Sequence, residues 1–586
     1  MIRLGRSATM LAISIAAMAM LPGQAQSQSA SGDWWGVLEV APGARLRLAV
    51  HVAPGADGKL TGTLDSLDQN AMGLPLADVS LSGDHLAFSL AVPTASFEGS
   101  WDAAAKSWRG AWQQGGRSWP LVLAAGQPPA PSQVAPPPLP ANWNLPSDAE
   151  AAALIDARIA ARPGEGIVVG LLDAGKSRIV ARGPAGTGTP FDDRTLFEIG
   201  SMSKVFTALI LADMVSKGEV ALDDPAEKYL PAGARMPERD GRKITLRDLA
   251  THRSGLPRLP DNMPFGNPDD PYADYSEKLM LDFLGHYQLP RDIGSQFEYS
   301  NLGFGLLGYL LAHAAHTDYP TLLARRITGP LGMRDTVITL SPGQQKRFAQ
   351  GYDGYMRPTA HWTLPTLAGA GAIRSTASDM LTFLRAALDP HSPIAPAMKI
   401  ATAERRPMGG PNEIGLAWII TKPATGREIL FHNGGTGGFR TAMVLDPAKQ
   451  RGVVVLTNAA IEPASDDLAM HLMLGAPVQA VGPVPPAPPR AVPHKEITLP
   501  AAELDRVVGR YEFTPNFVLT IERDGAGLKA QLSGQPAFPI FAEAPLNFFW
   551  RVVDAQLRFA VDADGKVTSV VLSQNGQQLN GKRVTP

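Results

Sequence analysis

The run Phe197-Glu198-Ile199-Gly200-Ser201-Met202-Ser203-Lys204 leads into an apolar stretch from Val205 to Val215. Within it Val205, Ala208, Leu209, Ala212 and Val215 recur at helical spacing, and Lys217-Gly218 supplies a cationic last turn and a stop. The pattern predicts an amphipathic helix with Ser201 at its mouth and Lys204 one turn further on, on the same face. A serine hydroxyl is a poor nucleophile until something takes its proton, and a lysine held out of water loses its charge readily enough to do so. Ser201 is therefore the candidate nucleophile and Lys204 its base. A lone Ser-x-x-Lys also fits a plain helix start with a solvated lysine, so the assignment depends on what else the chain offers.

Two further clusters offer it. Phe297-Glu298-Tyr299-Ser300-Asn301-Leu302-Gly303 stands just ahead of an apolar helix read over Phe304 to Ala312. A tyrosine at a loop-helix junction can point its hydroxyl into a cleft and pass protons, while Asn301 can hold the lysine or a substrate amide. By itself Tyr299 would read as an aromatic staple at a helix start. The second cluster is Phe431-His432-Asn433-Gly434-Gly435-Thr436-Gly437-Gly438-Phe439. So many glycines in a strand context serve a bulge or the close approach of a ligand to the backbone, with a mobile loop as the plain alternative. A substrate lying antiparallel to this strand would bring one carbonyl oxygen to an amide near Gly435 and to the amide of Ser201. Such an oxyanion donor is worth about 3 kcal/mol of barrier.

These residues need elements to hold them. The 586 residues exceed one compact core, and 45% hydrophobic with 18% charged residues is ordinary globular composition. A net charge of −2 gives no basic footprint, which argues against nucleic acid as a partner. The absence of cysteine removes disulfides, thiolate nucleophiles, Cys-based zinc sites and the lipoprotein type of membrane anchor. Residues 1–25 read as a secretory signal: Arg3 and Arg6, an apolar run from Met10 to Leu21, then Pro22-Gly23-Gln24-Ala25. A periplasmic or secreted protein is expected.

Residues 31–125 alternate with period two, and Trp34, Trp35, Trp101, Trp108, Trp112 and Trp119 cluster there, which predicts a small all-β sandwich or barrel. Core packing is the preferred role of the tryptophans over a carbohydrate-stacking face. Proline-rich linkers at 126–146 and 477–495 fence off a central unit at 147–476, and 496–586 returns to short strands, barrel-like if they close. The central unit opens with a helix capped by Ser147 and Glu150, followed by a hairpin of Ile167 to Asp173 and Lys176 to Arg182. A further helix is read from Thr245, a second hairpin over Thr441 to Asp446 and Arg451 to Thr457, and a last helix from Ser465 to Leu474. The expected fold class is α+β, an antiparallel sheet closed by terminal helices with a helical region inserted.

Taken in order, Ser201-x-x-Lys204, Tyr299-x-Asn301 and His432-Asn433-Gly434 resemble the serine β-lactamase and penicillin-binding protein superfamily, class C-like branch. Leu249 to Pro257 and Gly369 to Met380 match in kind, and the resemblance spans about residues 147–476. The C-terminal unit looks like the lipocalin-like appendage that some members carry. The resemblance implies acyl transfer: Ser201 attacks, Lys204 and Tyr299 share the proton traffic, Asn301, His432, Asn433, Gly434 and Gly435 line substrate and oxyanion, and no metal or cofactor is required. His432 departs from the Lys-Thr-Gly of class C β-lactamases, since a neutral imidazole offers no permanent charge to a carboxylate. Members with histidine here are more often D,D-peptidases, D-aminopeptidases or esterases, so a small-molecule or short D-peptide substrate ranks above a β-lactam. A catalytically idle sensor of cell-wall fragments is the rival. No Gly-x-Ser-x-Gly supports an α/β-hydrolase, and His313 and His316 lack a carboxylate to complete a zinc site. The Pro257 to Tyr275 loop is read as a mobile wall of the cleft that sets substrate choice.

Overall fold

The structure, a computed structural model, describes residues 30–584 except 42–43, 56–57, 68–70, 91–94, 115–116, 127–138, 141, 185–189, 265, 268, 424–425, 464, 483, 485–486, 488–493, 515–516, 534–536, 552, 554 and 575–576. The signal read over 1–25 and much of both proline-rich stretches lie outside the described residues.

The central sheet has eight antiparallel strands in the order Lys176–Arg182, Ile167–Asp173, Arg451–Thr457, Arg440–Asp446, Ile429–Gly435, Ile419–Thr421, Glu413–Ile414, Arg406–Pro407. Successive side chains leave opposite faces of a strand, and both faces here are covered. Ile167, Val169 and Leu171 join Val453 and Val455 in a core under the helices Asp148–Ala160 and Ser465–Leu474. Val168 and Leu172, with Val454 and Leu456, turn the other way into the main core, which holds the helices Ser203–Ser216, Asn301–Ala314 and Ala377–Leu388. The first helix starts at a capping box, Ser147 accepting from the Glu150 amide while the Glu150 carboxylate accepts from the Ser147 amide.

The Ser203–Ser216 helix is not amphipathic as expected. Ser203 through Ala212 are all buried, because the sheet lies on one side and the helical insertion wraps the rest. A helix this enclosed is a rigid base for a reacting group at its first turn.

Each flanking unit is a closed eight-stranded barrel in simple sequence order. In the first, Gly32–Ala41 pairs with Arg117–Ala125, which leaves no free edge. Trp34, Trp101 and Trp108 meet inside with ring centroids 5.0–5.9 Å apart, so these three serve packing. In the second, Gly509–Thr514 closes against Gln577–Val584. The sequence reading missed both of these strands and Phe538–Ala544, whose Pro539 and weak alternation hide them. This second barrel touches the central unit where Arg551 Nη1 donates to the Pro264 carbonyl at 2.9 Å.

Candidate active site

Ser201 sits on the single turn Gly200–Met202 that feeds the Ser203–Ser216 helix. The turn presses backbone to backbone against the end of the Ile429–Gly435 strand. Gly200 has φ +52°, and a Cβ there would stand 2.5 Å from the Gly435 nitrogen. A Cβ on Gly434 would stand 2.0 Å from the Ile199 carbonyl oxygen, which also accepts from Thr441 Oγ1 at 3.0 Å. The glycines of this strand thus admit a neighbouring segment of the chain itself, and they fix Ser201 beside Gly435.

Lys204 is fully buried. Its Nζ donates to Asn301 Oδ1 at 2.9 Å and to the Ala370 carbonyl at 2.7 Å, and lies 3.0 Å from Ser201 Oγ. Burial, reinforced by the positive charge of Arg258, holds its pKa well below the usual lysine range. A neutral amine has two N–H bonds, and the two carbonyl oxygens claim both. Its lone pair then faces the serine hydroxyl, the arrangement a general base requires.

The phenol of Tyr299 reaches Ser201 from the other side, and burial pushes its pKa up to about 12, against a lowering by the Ser201 hydrogen bond. It therefore stays protonated and can donate or relay a proton. Lys204 Nζ lies 4.8 Å from the Tyr299 ring centroid. Asn301 is held in turn, its Nδ2 donating to the Tyr272 hydroxyl at 3.1 Å.

Ser201, Tyr299, Asn433, Gly434 and Gly435 line one cleft of about 460 Å³, while Lys204 lies behind it. His432 is buried, with its Nδ1 donating to the Asn433 carbonyl at 2.6 Å. Burial above all, then the positive charge of Lys204, pushes the imidazole down to about 4, so His432 is neutral at pH 7. Asn433 turns its Nδ2 to Asp466 Oδ2 at 2.6 Å.

Arg258, Trp362, Arg440, Glu462 and Asp466 also line the cleft, and none of them was named as a site residue from the sequence. Arg258 lies within the Pro257 to Tyr275 loop read as a wall of the cleft, Asp466 within the helix read from Ser465 to Leu474, and Arg440 directly follows Phe439, so three of them stand in or beside segments already read. Trp362 is anchored through its backbone, whose N–H donates to the buried carboxylate of Glu198 at 2.9 Å. Among the described residues no cluster of His, Asp and Glu could hold a metal ion, and no helix is long and apolar enough to cross a membrane.

The family model described as Beta-lactamase matches residues 151–476, and a domain of unknown function (DUF3471) matches residues 493–583. The chain is similar to the D-alanyl-D-alanine-carboxypeptidase/endopeptidase AmpH of Escherichia coli (strain K12), with 34% identity over 279 residues, covering 45% of this chain and 71% of that protein. It is 26% identical over 420 residues to penicillin-binding protein 4* of Bacillus subtilis (strain 168), covering 67% of this chain and 89% of that one. Among solved structures, a beta-lactamase/D-alanine carboxypeptidase from Yersinia pestis complexed with citrate is 26% identical with a TM-score of 0.48, covering 56% of this chain and 99% of that chain.

Proposed function

The chain belongs to the beta-lactamase family, and on that premise we propose that it is an exported serine hydrolase that forms an acyl-enzyme on Ser201 and hydrolyses small esters or amides of the D-amino-acid peptide type. The observation that carries this reading is the Lys204 amine, buried and gripped by two carbonyl oxygens with its third position turned to Ser201 Oγ at 3.0 Å. Lys204 takes the Ser201 proton as the hydroxyl attacks the substrate carbonyl. The amides of Ser201 and Gly435 receive the oxyanion, and Tyr299 passes a proton to the leaving group. Water then enters, with the same groups working in reverse, and frees the acyl product. Residues 147–476 act as the catalytic unit, 1–25 as its export signal, and 126–146 and 477–495 as tethers to barrels at 31–125 and 496–586.

Esters and D-amino-acyl amides rank above β-lactams in this reading because His432 is neutral and buried, and so offers a carboxylate no charge. The test is parallel turnover of p-nitrophenyl butyrate, D-alanine p-nitroanilide and nitrocefin, with Ser201→Ala and Lys204→Ala alongside. Turnover of either of the first two, lost in both variants, is expected. A nitrocefin rate typical of β-lactamases overturns the ranking. If all three stay inert and a fluorophosphonate probe does not label Ser201, the idle sensor reading replaces it.

A further inference from the structure

Four basic side chains stand at or near the cleft, and three of them offer a ligand no free charge. Lys204 is sealed behind Ser201, and His432 is buried and uncharged at neutral pH. Arg440 Nη1 donates to the carbonyls of Thr436 at 2.9 Å and Phe439 at 3.0 Å, and its Nε faces Glu462 at 3.4 Å. Arg258 differs. It is exposed, it lines the cleft, and its guanidinium carbon lies 5.2 Å from the Tyr299 ring centroid with no carboxylate or carbonyl partner among the described residues.

Its backbone is nevertheless held firmly. The Arg258 carbonyl accepts from the amides of Asn301 at 3.0 Å and Leu302 at 3.2 Å, so the residue is tied to the helix start that carries Tyr299. Asp466 and Glu462 line the same cleft near Asn433, with Asp466 hydrogen-bonded to it. An anionic substrate is repelled from that wall and drawn to the Tyr299 wall. A guanidinium is the side chain best matched to a carboxylate, because its fork donates two parallel hydrogen bonds.

We propose that Arg258 is an anion subsite of the cleft, binding a free carboxylate on the acyl substrate at the Tyr299 wall and so performing the recognition that the buried His432 does not. The proposal rests on the acyl-transfer reading above and names its substrate class: acyl donors that carry a carboxylate within a side chain's reach of the scissile carbonyl.

The experiment compares p-nitrophenyl hydrogen adipate with p-nitrophenyl hexanoate, esters that differ by the terminal carboxylate, after subtracting the Ser201→Ala background. The readout is the ratio of the two kcat/KM values, which cancels any general damage to the site. The wild-type ratio favours the adipate and shrinks as salt is added. Arg258→Gln lowers the ratio by about 10- to 100-fold, chiefly through KM for the adipate, and Arg258→Lys restores part of it. Ser201-dependent turnover with a ratio unchanged in Arg258→Gln overturns the proposal alone. No Ser201-dependent turnover of either ester overturns the acyl-transfer reading, and the proposal with it.

Discussion

The ring of His252 lies stacked on that of Tyr299, with centroids 4.4 Å apart and planes at 29°. Its Nδ1 accepts the Ser300 amide at 3.0 Å, which puts the ring proton on Nε2, and burial above all holds the imidazole neutral. One side chain thereby fixes both the plane of the Tyr299 ring and the backbone that follows it. His252→Phe keeps an aromatic surface but strands a buried N–H. The expected outcome is a fall in kcat of about tenfold with KM little changed, and a stability loss of about 1 to 2 kcal/mol by denaturant unfolding.

The pH dependence follows from Lys204. Its pKa in the folded protein is depressed, so the neutral amine that takes the serine proton prevails well below the usual lysine range. The kcat/KM profile should rise with pH through that depressed value and then stay flat. Tyr299, raised to about 12, keeps its proton throughout. His432, lowered to about 4, is already neutral. The profile is predicted to show a single ascending limb, displaced well below the usual lysine range, and Tyr299→Phe should lower the plateau without shifting that limb.

Asp466 makes a stability prediction of the opposite sense. Burial, only partly opposed by the Asn433 hydrogen bond, pushes its carboxyl up to about 6. A carboxyl with a raised folded pKa contributes stability that is fully present below its unfolded pKa, near 4, and lost as pH rises through about 6. Asp466→Asn fixes the neutral form and keeps an acceptor for Asn433. Its melting temperature should exceed that of the wild type by about 2 °C at neutral pH, and the two should converge in acid.

Gly434 tests the backbone contact that sets Ser201. With a Cβ 2.0 Å from the Ile199 oxygen, Gly434→Ala must push the strand and the nucleophile turn apart. The expected cost is about 2 kcal/mol or more, accompanied by loss of nearly all turnover. Ser201→Ala, which removes only the hydroxyl, should melt close to the wild type.

Much of this architecture was legible from the residues. Ile167–Asp173, Arg451–Thr457 and Ser465–Leu474 run as read, because β-branched runs with turn residues between them, or apolar spacing ending at Gly475, leave few alternatives. The Ser201–Lys204 contact followed from helical geometry alone. The strand Gln577–Val584 was not legible, since its polar residues pair only once the barrel closes. Nor was the burial of His432, which depends on the nucleophile turn lying across its strand, nor the convergence of Arg258 and Asp466 from segments far apart in the chain.

The most direct test of the account is mass spectrometry of the protein quenched during turnover of p-nitrophenyl butyrate. A butyryl adduct is expected on the peptide that contains Ser201, absent from Ser201→Ala and formed far more slowly in Lys204→Ala. Turnover with no adduct on that peptide, or an adduct that persists in Ser201→Ala, would contradict it.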